Sequence, residues 1–474
     1  MQHKVEYLWA MVGKFLPQFI YLVTTMVLAR FLTPDDFGAI GILAIFFTVA
    51  NTLIDSGLGS SLVKEKEISE LDCSTISVFN LVLSHVLYLI IVVFSVDIEN
   101  YYEVNGLALI IKILCLIFII NAWGLVPQSL LVRELRFKTR MYIGIVSVVL
   151  SALVAIIMAI LGCGVWSLVV YQLVGGAVTT IMSAIAARYK VSFCFSRNSF
   201  KRLFSFGFFT TLTSTIDTIY ENLIVNIFGK YMSIQQAGLL YQAKRIEEVP
   251  TQTLATTISS VSFPVLTKMR FESKKFVEEC NSVFKTVLLL VLPLLACLSL
   301  FSSSIITLLF GEQWTAAGPY LSLLVIAGVF RIAETLNRTF IKSTTKVDKL
   351  LVYTIIKRSI GIVLLGVFAI FDSKHILHGY IISSFIGYFL NCILLSKVSD
   401  SKLIEQILLF VKIIIPSLII YVVVLLSGYL IKMLLLQILL TIILIWIYYL
   451  FVLPWYGIDI ISMAKNFVKG KQRI

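Results

Sequence analysis

An apolar segment near the middle of the chain carries two carboxylates. The segment STIDTIYENLIVNIFGKY, residues 214–231, has the length and composition of a membrane-spanning helix, yet it contains Asp217 and Glu221. Residues four apart lie on one face of a helix, so the two acids would form one polar face. Carboxylates in such a position can balance neighbouring cations, accept hydrogen bonds from hydroxyl groups or carry an exchanging proton. The residues alone leave these three roles open.

Other ionisable residues also fall inside apolar segments. They are Lys14, Asp55, Lys244, Arg245, Arg331, Glu334, Arg338, Lys357 and Arg358. An ionised side chain at the centre of a membrane helix costs roughly 2.5–3.5 kcal/mol on insertion scales, so these groups are expected to face a polar cavity or one another. Lys244 precedes Glu248 by four residues and Arg331 precedes Glu334 by three. Mutual neutralisation within these two pairs is therefore an alternative to a cavity role.

The composition is that of a membrane protein. Of the 474 residues, 59% are hydrophobic and only 14% are charged, and the mean hydropathy is +0.97. The seven cysteines are scattered without C-x-x-C pairs, so neither a disulfide framework nor a zinc site is expected, and no cofactor is indicated. The apolar run that extends to Ala29 is longer than a signal-peptide core and lacks a small-residue cleavage site. It is therefore predicted to be a retained first helix.

Apolar windows of about 19 residues predict fourteen membrane-spanning helices, and hence an all-α polytopic fold. The helices are predicted near 5–30, 37–63, 75–96, 106–132, 141–161, 165–187, 203–228, 237–266, 284–309, 318–341, 350–371, 376–396, 405–426 and 431–452. Only the short segment SGYLIKM separates the last two, so whether they are separate spans stays open.

The distribution of basic residues predicts the orientation. With a cytoplasmic N-terminus, about 26 of the 39 lysines and arginines fall in cytoplasmic segments and about four fall outside. RELRFKTR (133–140) and KNFVKGKQR (465–473) are among the inner segments, whereas the acidic DIENYYEVN (97–105) is an outer loop. Both termini are therefore predicted to be cytoplasmic. The formal charge of +13 is attributed to topology and to contact with anionic lipid rather than to nucleic-acid binding.

Motifs of ATP-driven motors and of common hydrolases do not occur in the sequence. It contains no G-x-x-x-x-G-K-[ST] motif, and its loops are too short for an ATPase domain. H-E-x-x-H and G-x-S-x-G are also missing, and a polymerase or ligase of extracellular glycans would be expected to carry a large outer loop. The chain is therefore predicted to be a transporter and not an enzyme.

The two halves of the chain resemble each other. FLTPDDFGAIGILAIFFTV (31–49) aligns with YMSIQQAGLLYQAKRIEEV (231–249), and both segments enter a helix from the same kind of outer turn. The matched residues are Gly38 with Gly238, Thr33 with Ser233, Val49 with Val249 and, farther on, Ser60 with Ser260. Two six-helix lobes in parallel orientation are predicted, with a substrate site between them. The predicted domains are an N-lobe at 1–200, a C-lobe at 201–400, and helices 13 and 14 with a basic tail at 401–474.

Six segments carry a resemblance to a known family. They are ARFLTPDDFGAIGI (29–42), DSGLGSSLVKEKEIS (55–69), PQSLLVRELRFK (127–138), GVWSLVVYQL (164–173), LFGEQWTAAGPYLSLL (309–324) and the long segment 204–269, which runs from FSFGFFTTLTSTIDTIY to SFPVLTKM. The long segment closely resembles the seventh and eighth helices of polysaccharide-transport flippases. These flippases form the lipopolysaccharide-biosynthesis branch of the multidrug/oligosaccharidyl-lipid/polysaccharide exporter superfamily. The other segments resemble the same family in the same order, over nearly the whole chain.

The resemblance implies a flippase of the bacterial inner membrane. Its substrate would be an undecaprenyl-pyrophosphate-linked oligosaccharide, moved to the outer leaflet for O-antigen, capsule or exopolysaccharide, with a polysaccharide polymerase and a chain-length regulator as further partners. Asp217 and Lys357 stand where this family is expected to have an acid and a base. Thr354 stands where a glutamate is expected, and Glu221 where an amide is commoner. Acid-dependent coupling to a proton or sodium gradient therefore stays open.

Such a substrate needs a polar path. Its charge and its unpaired hydroxyls would each cost several kcal/mol in about 30 Å of hydrocarbon, and a cationic cavity lowers that cost. The residues expected to hold the pyrophosphate or the sugars are Lys14, Arg331, Lys357, Arg358, Arg245 and Asn337. The cavity acids, which are candidates for ion coupling, are Asp217, Glu221 and Asp55.

Two alternative functions stay open at this point. A drug or small-cation exporter of the same superfamily would use the carboxylates as its site and should have a net acidic cavity. In this sequence the bases inside apolar segments are at least as numerous as the acids, which favours an anionic substrate. A non-transporting scaffold of a polysaccharide assembly complex would keep its function when these charges are changed.

Overall fold

The computed structural model describes residues 2–55, 57–65, 67–190, 192–344, 348–430 and 434–456. These residues form helices joined by short turns, with no strand among them. The prediction of an all-α fold is confirmed.

The helices follow one another with few residues between them. Those of the first half are α1 (Gln2–Phe31), α2 (Pro34–Asp55), α3 (Leu58–Lys64), α4 (Glu70–Val93), α5 (Ser95–Tyr102), α6 (Leu107–Leu114), α7 (Leu116–Arg133), α8 (Phe137–Ile160), α9 (Trp166–Ala187) and α10 (Arg197–Tyr231). Those of the second half are α11 (Ile234–Glu248), α12 (Leu254–Met269), α13 (Ser273–Leu300), α14 (Ser302–Phe310), α15 (Gly318–Ser343), α16 (Asp348–Phe371), α17 (Ile376–Val398), α18 (Leu403–Leu430), α19 (Leu434–Ile447) and α20 (Leu453–Trp455).

The chain is a multi-pass membrane protein. Within the described residues, ten helical segments are long and apolar enough to cross a membrane, judged by length and composition. They are Pro34–Asp55, Glu70–Val93, Leu107–Arg133, Phe137–Ile160, Trp166–Ala187, Ser273–Leu300, Glu312–Ser343, Lys349–Phe371, Ser373–Val398 and Leu403–Ser427. Each of the fourteen predicted segments overlaps one helix or consecutive helices of the described residues, although residues 431–433 of the last segment lie outside them. The count of fourteen crossings stays a prediction.

Several of the predicted helices are interrupted, and glycine or proline accounts for two of the interruptions. The helix predicted at 37–63 ends at Asp55, and α3 starts after Gly57, whose φ of 67° is a left-handed conformation that glycine adopts without a steric penalty. The helix predicted at 237–266 is interrupted by a π-helical turn, Val249–Thr253. Pro250 lies in this turn and has no amide hydrogen, so it cannot complete the regular α-helical bonding there.

Other helices start earlier than predicted. Helix α4 begins at Glu70 because Ser69 caps it: the Ser69 hydroxyl accepts from the Asp72 amide at 3.1 Å, and the Asp72 carboxylate accepts from the Ser69 amide at 3.0 Å. Helix α13 begins at Ser273, well before residue 284, with polar first turns. Polar turns of this kind do not register in a hydropathy window, although they continue the helix.

The predicted repeat is visible in the way α2 and α11 begin. Thr33 precedes α2, and its hydroxyl accepts from the Asp36 amide at 3.4 Å. Ser233 precedes α11, and its hydroxyl accepts from the Gln236 amide at 3.1 Å. The two residues that the repeat alignment matches are therefore the N-caps of matching helices.

The described chain falls into two compact units. The first comprises Met1–Gln242, Thr307–Trp314 and Ala369–Lys374, and the second Ala243–Ile306, Thr315–Phe368 and His375–Ile474. In the first unit, α8 packs on α1 and α9, α7 on α9 and α4, and α10 on α2. In the second, α15 packs on α17, α13 and α12, and α13 on α18. The lobe boundaries at residues 200 and 400 stay predictions.

Candidate functional site

Helix α15 has a row of polar residues on its buried face. Arg331, Glu334 and Asn337 follow one another at intervals of three residues, which places them on one side of the helix. Their exposed fractions are 7%, 5% and 3%. Buried charges are tolerated only with partners, so the neighbouring helices α11, α16 and α17 must supply them.

Glu334 is the point at which three helices meet. Its Oε1 atom accepts from Lys357 Nζ at 2.5 Å and from Arg358 Nη2 at 3.3 Å, both on α16. A Cβ atom on Gly387 of α17 would lie 2.9 Å from Glu334 Oε2, so the α17 backbone packs closely against the carboxylate at this glycine. Asn391, also on α17, donates to the Glu334 carbonyl oxygen at 3.3 Å. The carboxylate therefore lies between α16 and α17.

A second ion pair joins α11 to α15. Glu247 is fully buried and accepts from Arg331 Nη1 at 3.1 Å through its Oε2 atom. Gly328 leaves room for this carboxylate, since a Cβ atom there would overlap Glu247 Oε1. Thr251, in the π-helical turn, donates to the Glu247 carbonyl oxygen at 2.8 Å. The guanidinium of Arg331 also lies 5.9 Å from the ring centre of Tyr380.

The observed pairing is partly local and partly between helices. Lys244 and Glu248 are 3.6 Å apart within α11, as their four-residue spacing indicates. The structure pairs Arg331 with Glu247 of α11, and Glu334 with Lys357 of α16. Neither of these two pairs follows from the local spacing on α15.

The charges on these helices are predominantly basic. Among described side chains of α11, α15 and α16, the charged residues that are not exposed comprise six bases and three acids: Lys244, Arg245, Arg331, Arg338, Lys357 and Arg358, and Glu247, Glu248 and Glu334. A weakly polar surrounding strengthens the attraction of the excess bases for an anion. Arg side chains can hold a phosphate through two parallel hydrogen bonds. The second unit therefore contains an excess of bases that are not exposed, and Arg331, Lys357 and Arg358 among them pair with internal carboxylates.

The predicted acids belong to the first unit. Asp217 on α10 is 6% exposed, and Glu221 is half-buried one helical turn further on. The hydroxyl oxygens of Thr218 and Thr52 lie 3.5 Å apart, linking this stretch of α10 to α2. Asp55 is the last residue of α2 and its side chain is exposed, beside the interruption before α3.

The remaining predicted residues have different surroundings. Arg245 on α11 is half-buried. Asn337 donates to Cys392 Sγ at 3.2 Å and so faces α17. Lys14 lies on α1, but its side chain is outside the described part of the structure.

Sequence reasoning did not single out Glu247 and Asn391. A signal for Glu247 exists, because Leu240, Ala243 and Glu247 share one helical face and the first two are apolar. An acid on such a face is expected to be buried and paired. Asn391 gives no comparable signal, because α17 also contains other polar residues, Ser383 and Ser384 among them, and nothing in the sequence distinguishes Asn391 from them.

The long apolar helices define a polytopic membrane protein. A solved structure of the lipid II flippase MurJ, in its inward closed conformation, has this fold: the TM-score is 0.74 at 18% identity, over 94% of this chain and 98% of that one. The family model described as polysaccharide biosynthesis protein matches residues 27–319, and the chain belongs to this family. The family that the sequence segments predict is thereby confirmed.

Two relatives have similar identities. The teichuronic acid biosynthesis protein TuaB of Bacillus subtilis is 26% identical over 63% of this chain and 62% of its own length. The lipopolysaccharide biosynthesis protein WzxC of Escherichia coli is 27% identical over 69% of this chain and 67% of its own length. The matched part of the chain thus spans 62% of TuaB, which is less than two thirds of it, and 67% of WzxC.

Proposed function

We propose that this protein flips an undecaprenyl-pyrophosphate-linked oligosaccharide from the cytoplasmic to the outer leaflet of a bacterial inner membrane, without changing it chemically. The observation that carries the proposal is the predominantly basic buried cluster on α11, α15 and α16, in a chain of the polysaccharide biosynthesis family. The relatives TuaB and WzxC are named for teichuronic acid and lipopolysaccharide biosynthesis, and MurJ is named a lipid II flippase. Both termini are cytoplasmic in this proposal.

In this proposal the bases hold the pyrophosphate during its passage. Arg331, Lys357 and Arg358 supply charge-assisted hydrogen bonds, with Lys14 of α1 as a further base, and Arg245 and Asn337 contact the phosphate or the sugars. The charge of the pyrophosphate then stays paired with these bases during the passage and is not exposed to hydrocarbon. A polysaccharide polymerase and a chain-length regulator would act on the product. Asp217, Glu221 and Asp55 are the residues proposed for proton or sodium coupling.

Reconstituted vesicles test the proposal directly. The purified protein is inserted into lipid vesicles that contain a fluorescent undecaprenyl-pyrophosphate-linked oligosaccharide, and an impermeant quencher reports the lipid in the outer leaflet. Flipping should raise the quenched fraction above that of protein-free vesicles, and the Arg331→Ala and Lys357→Ala variants should reduce the rate. Transport of small organic cations without lipid movement would identify a cation exporter. If no substitution of a proposed base changes lipid movement in cells or in vesicles, these bases do not form the binding site.

A further inference from the structure

The buried carboxylates occupy the places on the bases that an anionic substrate needs. Lys357 and Arg358 both donate to one atom, Glu334 Oε1, at 2.5 and 3.3 Å. Arg331 donates to Glu247 Oε2 at 3.1 Å. We propose, resting on the proposed function, that Glu334 and Glu247 are internal counter-anions: the pyrophosphate displaces them from the bases, and re-formation of the ion pairs expels it.

The geometry around Glu334 favours movement of the bases rather than of the acid. Its Oε2 atom packs against the α17 backbone at Gly387, and its main chain accepts from Asn391 at 3.3 Å. The α17 backbone thus leaves little room on one side of the carboxylate, whereas Lys357 and Arg358 are long side chains with several rotatable bonds. These two side chains can rotate toward an arriving phosphate and later pair again with the carboxylate.

The bases exchange one anionic partner, the Glu334 carboxylate, for another, the pyrophosphate. Glu334 Oε1 accepts from both Lys357 and Arg358, whereas a pyrophosphate offers several oxygens to the two bases. Against this gain stands the cost of leaving a buried carboxylate without its cations. A near balance suits a transporter, because the substrate has to be bound and then released.

Glu247 adds an independent case of the same arrangement. It is fully buried, and among the described residues its Oε1 atom has no hydrogen-bond partner. Its Oε2 atom pairs with Arg331, and Gly328 provides the space in which the carboxylate lies. This acid holds Arg331 through one oxygen only, so a phosphate with two free oxygens competes well for the guanidinium.

Glu334→Gln should change affinity and transport in opposite directions, which damage to the fold would not do. Replacing Glu334 by glutamine removes the competing charge but keeps the size and an acceptor oxygen. The bases are then released for the substrate, so affinity rises while release, and with it transport, slows. A residue that only stabilises the fold would lower affinity and transport together.

The experiment titrates purified protein with farnesyl pyrophosphate, a soluble isoprenyl pyrophosphate, by calorimetry. Glu334→Gln should bind roughly tenfold tighter or more than the parental chain, as expected when a charged hydrogen bond no longer competes. Glu247→Gln should also bind tighter, through Arg331, and both variants should export less glycan in cells. Asp72→Asn is the matched control: this acid pairs with Arg202 at 2.8 Å in the first unit, and its loss should leave binding unchanged.

The outcomes separate this inference from the proposed function. If the parental chain and the glutamine variants bind no farnesyl pyrophosphate, the pyrophosphate site itself is wrong. If the parental chain binds and the glutamine variants bind equally or more weakly, the counter-anion inference is overturned while the proposed function stands. If the glutamine variants do not reach the membrane, Glu334→Asp decides, because its shorter side chain weakens the contacts with both bases. It should bind tighter by a smaller factor, and equal or weaker binding overturns the inference.

Discussion

Gly238 of α11 packs directly against the carbonyl oxygen of Pro34 at the start of α2, where a Cβ atom would overlap that oxygen. The repeat-related Gly38 of α2 stands equally close to the carbonyl oxygen of Ile234 at the start of α11. Two matching helices therefore cross at matching glycines, each against the first turn of the other. The close approach depends on both residues lacking a side chain.

Gly238→Ala should destabilise the protein by about 1–3 kcal/mol, because the new methyl group meets backbone that has to move. Gly366 of α16 is the matched control, since a Cβ atom there has no neighbour within 4 Å. Gly366→Ala should leave stability unchanged or raise it by roughly 0.5–1 kcal/mol, the usual preference for alanine within a helix. Thermal unfolding in detergent measures both. If the two variants are equally stable, the crossing of α2 and α11 accommodates the new methyl group without loss of stability.

The last turn of α1 is capped from a distant part of the first unit. Gln313 Nε2 and Trp314 Nε1 both donate to the carbonyl oxygen of Ala29, at 2.7 and 2.8 Å. Trp314 is fully buried, and its ring meets Phe37 edge-on with the ring centres 5.2 Å apart. A carbonyl at a helix C-terminus has no partner within the helix, so these side chains replace one.

A double-mutant cycle should show that the two donors substitute for each other. Gln313→Ala or Trp314→Phe alone leaves Ala29 with one donor, so the hydrogen-bond part of each loss should be about 1 kcal/mol or less. The double variant leaves a buried carbonyl unsatisfied and should cost about 1–3 kcal/mol more than the sum of the single variants. The measurement is the free energy of unfolding of all four proteins. Additive losses would mean that another donor reaches Ala29.

The helices could be predicted from the sequence because burial in lipid requires long apolar runs, which a window detects. The starts of α4 and α13 could not be found in this way, since Glu70 and Ser273 begin polar turns whose helical state depends on caps and packing. The repeat was detectable because Thr33 and Ser233 cap the N-termini of two helices in the same way.

The candidate site was predictable in its residue types but not in its pairing. Mutual neutralisation of Arg331 and Glu334 at a three-residue spacing was one of two alternatives, the other being a cavity role. The structure brings Glu247 to Arg331 from 84 residues away, and Lys357 to Glu334 from the following helix. Such pairs depend on which helices pack together, and one sequence does not contain that information locally.

The role of Asp217 can be tested with its amide. Asp217→Asn keeps the size and a hydrogen-bond acceptor but removes the group that could carry a proton. If the acid couples transport to protons, the variant should lose any effect of a pH gradient on flipping in vesicles. If it only accepts hydrogen bonds from sugars, much of the activity should remain. A parental rate that responds to neither a proton nor a sodium gradient would remove the coupling idea.

The final prediction separates substrate binding by Arg331 from a merely structural ion pair. Arg331→Ala alone is ambiguous, because it leaves Glu247 buried without its cation, and breaking a buried pair costs about 3–5 kcal/mol of stability. The double variant Arg331→Gln/Glu247→Gln removes both charges, so stability should largely return.

Export should nevertheless stay low in the double variant, because the base that holds the phosphate is still missing. The loss of one charged hydrogen bond is worth about 1.5–3 kcal/mol, or roughly ten- to a hundredfold in affinity. Arg331→Lys should be only partly tolerated, since the charge stays while the forked geometry is lost. The assay is glycan export in cells lacking the native protein, with the membrane level of each variant measured by blotting. If the double variant is stable and exports at the parental rate, Arg331 and Glu247 form a structural pair, and the phosphate must be held by Lys357 and Arg358 without them.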